Sequence, residues 1–286
     1  MANPIDRPEP DAAAAAEPEP EPIPAAQREP EPNPEPRLNP APEPITPEPP
    51  RRVHRLLLTQ SWLDLAFLHW EADPAAVARL LPRGAEPDLF EGRAYVGLIA
   101  FRMYRVGWLG LPGLPWIGSF PETNVRLYSV GRDGRRGVVF RSLEAARLVP
   151  VLVARIGFRL PYVWARMSVV KSESPDGGTT FAYTSRRLPP GRRDAVSELK
   201  IRVGEPVESP TDFEHFLTAR WGVHFAPFGR AGYLPNEHGR WPLHRAELLD
   251  CRETLISAAG LPAPSGPPVS VLYSPGVSVR FGPTGS

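Results

Sequence analysis

Apolar positions after Arg51 fall into short runs with turn residues between them. Leu56 to Trp70 is apolar enough for a strand pair or one long bent strand. Asp73-Pro74 reads as an N-cap followed by proline in the first helical position, which predicts a short helix over Ala75–Leu81 that stops at Pro82. Ala94–Tyr104 alternates small and large apolar residues and predicts a strand. Val125–Val130 and Gly137–Leu143 flank Gly131-Arg132-Asp133-Gly134, the clearest hairpin in the chain.

Further along, mixed periodicity around Pro150 predicts a broken helix over Ala145–Arg155. Ala165–Lys171 and Thr179–Leu188 predict a second hairpin, with its turn at Ser174–Gly178. Val196–Val203 predicts a strand, and Ser209-Pro210 opens a helix through Arg220 with a capping-box-like Asp212. Trp241–Cys251 and Val269–Phe281 return to strand patterns. Tyr273-Ser274-Pro275-Gly276-Val277 reads as a tight turn. Many strands with few short helices predict a mainly β (α+β) fold, antiparallel or mixed and barrel-like.

The first 50 residues do not share this pattern. They hold 17 of the 39 prolines and 11 acidic against 3 basic residues, so their charge is −8. Such a stretch cannot bury enough apolar surface to offset its ordering entropy. The expected organisation is a disordered Pro/Glu-rich tail over 1–50 and one folded domain over 51–286. Subtracting −8 from the formal +1 leaves +9 on the domain, nearly all arginine, because the only lysines are Lys171 and Lys200. That charge suits flat anions such as carboxylates, although a high-GC genome also writes arginine for lysine.

The single cysteine, Cys251, excludes an intramolecular disulfide and fits a reducing compartment. No secretory leader pattern and no continuous apolar span of membrane length is visible. A soluble cytoplasmic protein with no membrane partner is the expectation; oligomeric state is not legible.

Dinucleotide, Walker, nucleophile-elbow and zincin signatures are absent. The six histidines show no recognised metal-ligand spacing, so neither a metal nor a cofactor is expected. The arginines are scattered and not grouped with stacking aromatics, which argues against a nucleic-acid partner.

Two blocks carry candidate chemistry. In Phe120–Tyr128, a strand that turns Val125, Leu127 and Phe140 to the core puts Asn124, Arg126 and Tyr128 on its other face, next to Glu122 at the strand entry. In Gly157–Arg166, Tyr162 offers a proton or hydrogen bond and Arg166 a carboxylate clamp. Solvated strand faces and aromatic packing account for the same residues without a ligand.

Taken in order, Glu122–Arg126, Val139–Glu144, Leu160-Pro161-Tyr162 with Ala165-Arg166-Met167, Phe213–Trp221, Trp241-Pro242-Leu243-His244 and Tyr273–Val277 resemble the YqjF-like family, domain of unknown function 2071. The resemblance implies an acetoacetate decarboxylase-like closed, double-layered β architecture with a central pocket for a small organic acid. It does not carry over the decarboxylase reaction. That reaction uses a Schiff-base lysine, and the comparable stretch here, Gly157–Pro161, runs into Tyr162. The expected ligand is therefore a small organic acid, handled without an amine. Glu122 and Tyr162 are the expected base and acid, and Asn124, Arg126 and Arg166 the expected ligand holders. The rival expectation is a non-catalytic metabolite-binding protein. The apolar loop Trp108–Phe120 is a candidate lid.

Overall fold

The computed structural model describes residues 40–108, 118–147, 160–175, 177–192, 194–226, 229 and 231–283. Twelve strands run in chain order: β1 (Leu58–Ala72), β2 (Ala85–Pro87), β3 (Ala94–Trp108), β4 (Phe120–Gly131), β5 (Arg136–Ala145), β6 (Tyr162–Glu173), β7 (Thr179–Arg187), β8 (Val196–Pro206), β9 (Gly222–Phe225), β10 (Gly232–His238), β11 (His244–Glu253) and β12 (Ser270–Phe281). Three short helices accompany them: α1 (Pro74–Leu80), α2 (Asp212–Thr218) and α3 (Leu255–Ala258).

The pairings close two rings through one shared wall. That wall is β12-β1-β3-β4-β5. β6, β7, β8 and β11 complete a nine-stranded ring on it, and β9 and β10 complete a seven-stranded one. Side chains alternate between faces along a strand, so each wall strand supplies both interiors. On β1, Ala66 and Leu68 enter one core and Leu65 and Phe67 the other. On β4, Val125 and Leu127 join the core of the nine-stranded ring, with Phe181, Leu199 and Ile201 from its far side. The expected mainly β, closed-barrel class is what the chain adopts.

Local chemistry explains most element ends. Asp73 caps α1, its carboxylate accepting from the backbone N–H of Ala75 and Ala76 at 3.0 and 3.2 Å. The capping box of α2 is Thr211 with Glu214, not Asp212: Thr211 Oγ1 accepts the Glu214 N–H at 3.2 Å, and Glu214 accepts the Thr211 N–H at 2.8 Å. Tyr273–Val277 is not a turn. It lies inside β12, where β1 bulges at Asp64 with φ 51° and Leu63 pairs with Gly276. Gly276 has φ 131°, and a Cβ there would stand 2.1 Å from the Trp62 carbonyl oxygen. Proline and glycine serve a strand kink here, which in sequence looks like a hairpin.

Phe140 also departs from expectation. A bulge shifts the β4–β5 register so that Val125 faces Ser142 while Arg126 faces Phe140, and Phe140 therefore turns to the same side as Arg126. The broken helix expected over Ala145–Arg155 falls largely outside the described residues; Ala145 itself ends β5. The 109–117 part of the candidate lid is likewise outside them. No helix among the described residues is long and apolar enough to cross a membrane.

The boundary placed at residue 50 moves. Residues 40–50 lie on the domain: the Glu43 N–H donates to Gly134 O at 2.9 Å, Arg136 Nε donates to Glu43 O at 2.6 Å, and Trp221 Nε1 donates to Thr46 O at 3.3 Å. Ile45 packs on the seven-stranded core, and Glu48 pairs with Arg240 at 2.9 Å. Proline locks φ in this segment and lowers its ordering cost, which the compositional argument left out. Deleting residues 1–50 is expected to lower Tm by about 5 °C or more, at about 2–4 °C per kcal/mol for a domain of this size. Deleting 1–39 should leave it unchanged, and a differential scanning calorimetry comparison of the two truncations checks both.

Candidate functional site

The seven-stranded ring encloses a cavity of about 90 Å³. Its wall is mostly apolar, with Phe67 of β1, Ile99 and Phe101 of β3, and Phe140 of β5 among the lining residues. Trp62 and Trp241 stack at 6.0 Å with an interplanar angle of 13°, and both line it. Against this surface stand four polar side chains that sequence had singled out: Glu122, Asn124 and Arg126 of β4, and Tyr162 of β6.

The period of two puts the three β4 groups on one face. Tyr162 reaches them because the start of β6 pairs in parallel with the end of β5, Leu143 opposite Tyr162. Its hydroxyl donates to Glu122 Oε2 at 3.1 Å. Arg166 does not join them. It is exposed on β6, beside Trp164 and Met167 in a separate surface depression, because β6 leaves the cavity wall after its first residues to serve the nine-stranded ring.

Glu122 is 3% exposed. Burial pushes its carboxyl up to about 8 from an ordinary 4.5; the hydrogen bond from Tyr162 works against the rise, nearby Glu144 adds to it, and a bond from Asn124 works against it. At neutral pH it is mostly the uncharged acid. Burial, and then Glu122, push the Tyr162 phenol well above its usual value, so it stays protonated.

Arg126 is 7% exposed and makes no ion pair among the described residues. Its Nη2 donates to Leu217 O at 2.7 Å and its Nε to the Tyr128 hydroxyl at 3.2 Å, while that hydroxyl donates to Leu217 O at 2.9 Å. Leu217 lies in the last turn of α2, where helix carbonyls lack intrahelical partners and carry the negative end of the dipole. Its neighbours do similar work. Phe216 O accepts from Arg220 Nε at 2.7 Å, and Thr218 O accepts from Trp241 Nε1 at 2.9 Å. One helix end thus aims the cation, the aromatic wall and a second arginine.

Charge around the cavity does not balance. Asp88, 2% exposed, is shared by Arg136 and Arg220. Glu144 is committed to Arg187 at 2.7 Å. With Glu122 uncharged, Arg126 has no anion, and burying an unpaired guanidinium is costly. His69, fully buried behind Arg126, stays neutral because burial, then Arg126 and Arg220, push its pKa well below the ordinary value. Gly97 permits this packing: a Cβ there would lie 3.1 Å from the Tyr128 hydroxyl and 3.2 Å from both Arg126 Cγ and His69 Cδ2.

Two further polar atoms of lining residues are buried without a partner, Asn124 Oδ1 and Trp62 Nε1. Sequence reasoning missed Trp62, Trp241, Gly97 and His69 as parts of the site. Trp241 stood in a quoted motif, but its partner Thr218 O is set only by the fold. Neither lysine is near: Lys171 is exposed and paired with Glu173 at 2.8 Å, and Lys200 is exposed on β8. Among the described residues no cluster of three potential metal ligands occurs.

The doubly closed β architecture is the acetoacetate decarboxylase-like fold. Solved structures agree on the fold. The enduracididine biosynthesis enzyme MppR complexed with pyruvate matches with a TM-score of 0.52 at 17% identity, over 82% of this chain and 91% of that one. An acetoacetate decarboxylase-like enzyme from Sphingomonas wittichii RW1 matches with a TM-score of 0.51 at 12% identity, over 80% and 92%. The chain belongs to the DUF2071 family of uncharacterised conserved proteins, whose profile matches residues 59–278. It is 30% identical over 229 residues to the uncharacterised protein YqjF of Bacillus subtilis (strain 168), covering 79% of this chain and 91% of that protein.

The Glu122 environment has a measurable consequence. Between 4.5, where the unfolded carboxyl ionises, and about 8, where the folded one does, the native state holds the extra proton. This group therefore makes stability fall as pH rises, by at most about 1.4 kcal/mol per pH unit. Glu122→Gln should remove that part: thermal melts from pH 5 to 8 are expected to decline less for the variant, which should be the more stable protein at pH 8.

Proposed function

We propose that this protein binds a three- or four-carbon carboxylic acid inside the seven-stranded ring and moves a proton on it without a covalent amine. The observation that carries this reading is Arg126, a buried cation with no anion among the described residues, beside an uncharged carboxyl in the same cavity. A ligand carboxylate supplies the missing charge through charge-assisted hydrogen bonds. The cavity volume, the liquid volume of about three waters, limits the remainder to a short chain. The pyruvate held by one solved fold neighbour is of that size.

Glu122 is the base. A pKa near 8 leaves roughly a tenth of it ionised at pH 7. That fraction takes the proton from the carbon beside the substrate carbonyl; the C–H electron pair moves to the carbonyl oxygen as an enolate, and the neutral carboxyl then returns the proton. Tyr162, donating to Oε2, stabilises the carboxylate form. Its own raised pKa makes it a hydrogen-bond donor to the base, not the acid expected from sequence. The apolar wall excludes water from the step.

In D2O the protein is expected to catalyse hydrogen–deuterium exchange at the methyl group of pyruvate, followed by proton NMR, with a rate that rises as pH passes through about 8. Glu122→Gln should abolish exchange and keep binding. Arg126→Met should weaken binding about 10- to 100-fold, as loss of charged hydrogen bonds does, with some loss of stability because the guanidinium is buried. Binding without exchange at any pH would leave a non-catalytic binding protein. Borohydride treatment with pyruvate should give no mass adduct, and an adduct on Lys171 or Lys200 would overturn the amine-free reading.

A further inference from the structure

The polar atoms that Arg126 and Glu122 leave unexplained restrict the ligand further. Asn124 is 5% exposed and sits between them on β4. Beside it, Glu122 Oε2 accepts from Tyr162. Once Glu122 has ionised to act as the base its carboxylate has no proton to give, and Asn124 Oδ1 is a buried acceptor without a hydrogen-bond partner. No lining residue donates to it: Arg126 gives its Nε and Nη2 protons to Tyr128 and Leu217, and Tyr162 gives its proton to Glu122.

A carboxylate cannot satisfy this atom, since it has no proton to give, and a carbonyl oxygen cannot either. An O–H can. We infer that the cavity selects an acid bearing a hydroxyl next to the carboxylate, with Arg126 on the carboxylate and Asn124 Oδ1 accepting the hydroxyl proton. The inference rests on the proposed carboxylate reading and names its substrate class. Two sources present this chemistry: a 2-hydroxy acid, and the enol tautomer of a 2-oxo acid. The unpartnered Trp62 Nε1–H adds a donor for a ligand oxygen, so the lining offers a hydroxyl both an acceptor and a donor. Leaving a buried acceptor unpaired costs about 1–3 kcal/mol, which corresponds to a preference of about 5- to 150-fold for hydroxyl over carbonyl on the same carbon skeleton.

Isothermal titration of the full-length protein with lactate, pyruvate and propionate tests this. Lactate is expected to bind at least 5-fold more tightly than both others, and Asn124→Leu to erase the difference while propionate affinity stays within about 3-fold. The unaltered protein separates the two sources: pyruvate methyl exchange in D2O that lactate suppresses assigns the enol, and lactate preference with no exchange assigns the alcohol alone. Asn124→Ser, which keeps an acceptor, should retain part of the selectivity if the leucine variant folds poorly. Equal binding of lactate and pyruvate by the unaltered protein overturns the inference and leaves the carboxylate reading standing. Failure of all three acids to bind overturns both.

Discussion

Five strands belong to two barrels at once, and that sharing governs which residues this chain can place where. A strand with one face in water tolerates polar residues on alternate positions; β12, β1, β3, β4 and β5 have no such face over much of their length. On β4, positions 122–129 are all buried. Each polar side chain there must be satisfied by the protein or by a ligand. Ser129 meets His224 Nδ1 at 2.8 Å and Tyr128 meets Leu217. Asn124 Oδ1 is left without a partner, and Glu122 and Arg126 line the cavity with it on the same strand face.

The same constraint explains how two like-signed groups share a small interior. Arg220 and Arg126 approach the same α2 terminus, and the Arg220 guanidinium lies 4.7 Å from the Tyr128 ring centroid and 4.2 Å from that of Phe216. Helix carbonyls and aromatic faces disperse positive charge without cancelling it. Asp88 offsets Arg220 and Arg136 together, so formal charge here stays positive. Burial, with an assist from Glu144, holds Glu122 uncharged; an ionised Glu122 would supply an internal counterion and weaken the site's demand for an external one.

Strand positions and the β4 face were legible because they depend on nearest-neighbour pattern: alternation, a Gly-Arg-Asp-Gly turn, an Asp-Pro helix start. Residues whose role depends on a bulge were not. Phe140 changed sides through a one-residue register shift, and Pro275-Gly276 looked like a turn because a bulge in β1, distant in sequence, is what requires it. Arg166 was misplaced for a related reason. Tyr162 and Arg166 share strand parity, yet β6 passes from one ring to the other, and parity along a strand predicts a shared face only while its neighbours stay the same. The short strands β9 and β10, which close the site's own ring, carry too few residues for periodicity to register.

Closure by two short strands also bears on chemistry. β9 pairs with β5 through Val138 and Val223, and β10 reaches β12 through three residue pairs, so the ring around the cavity has far fewer backbone hydrogen bonds at that seam than β1 has with β3. Local opening follows the least-bonded elements. The β9–β10 seam, with α2 leading directly into it, is therefore where the ring can part at least cost. Because the end of α2 also aims Arg126 and Trp241, movement there would displace the cation and the aromatic wall together.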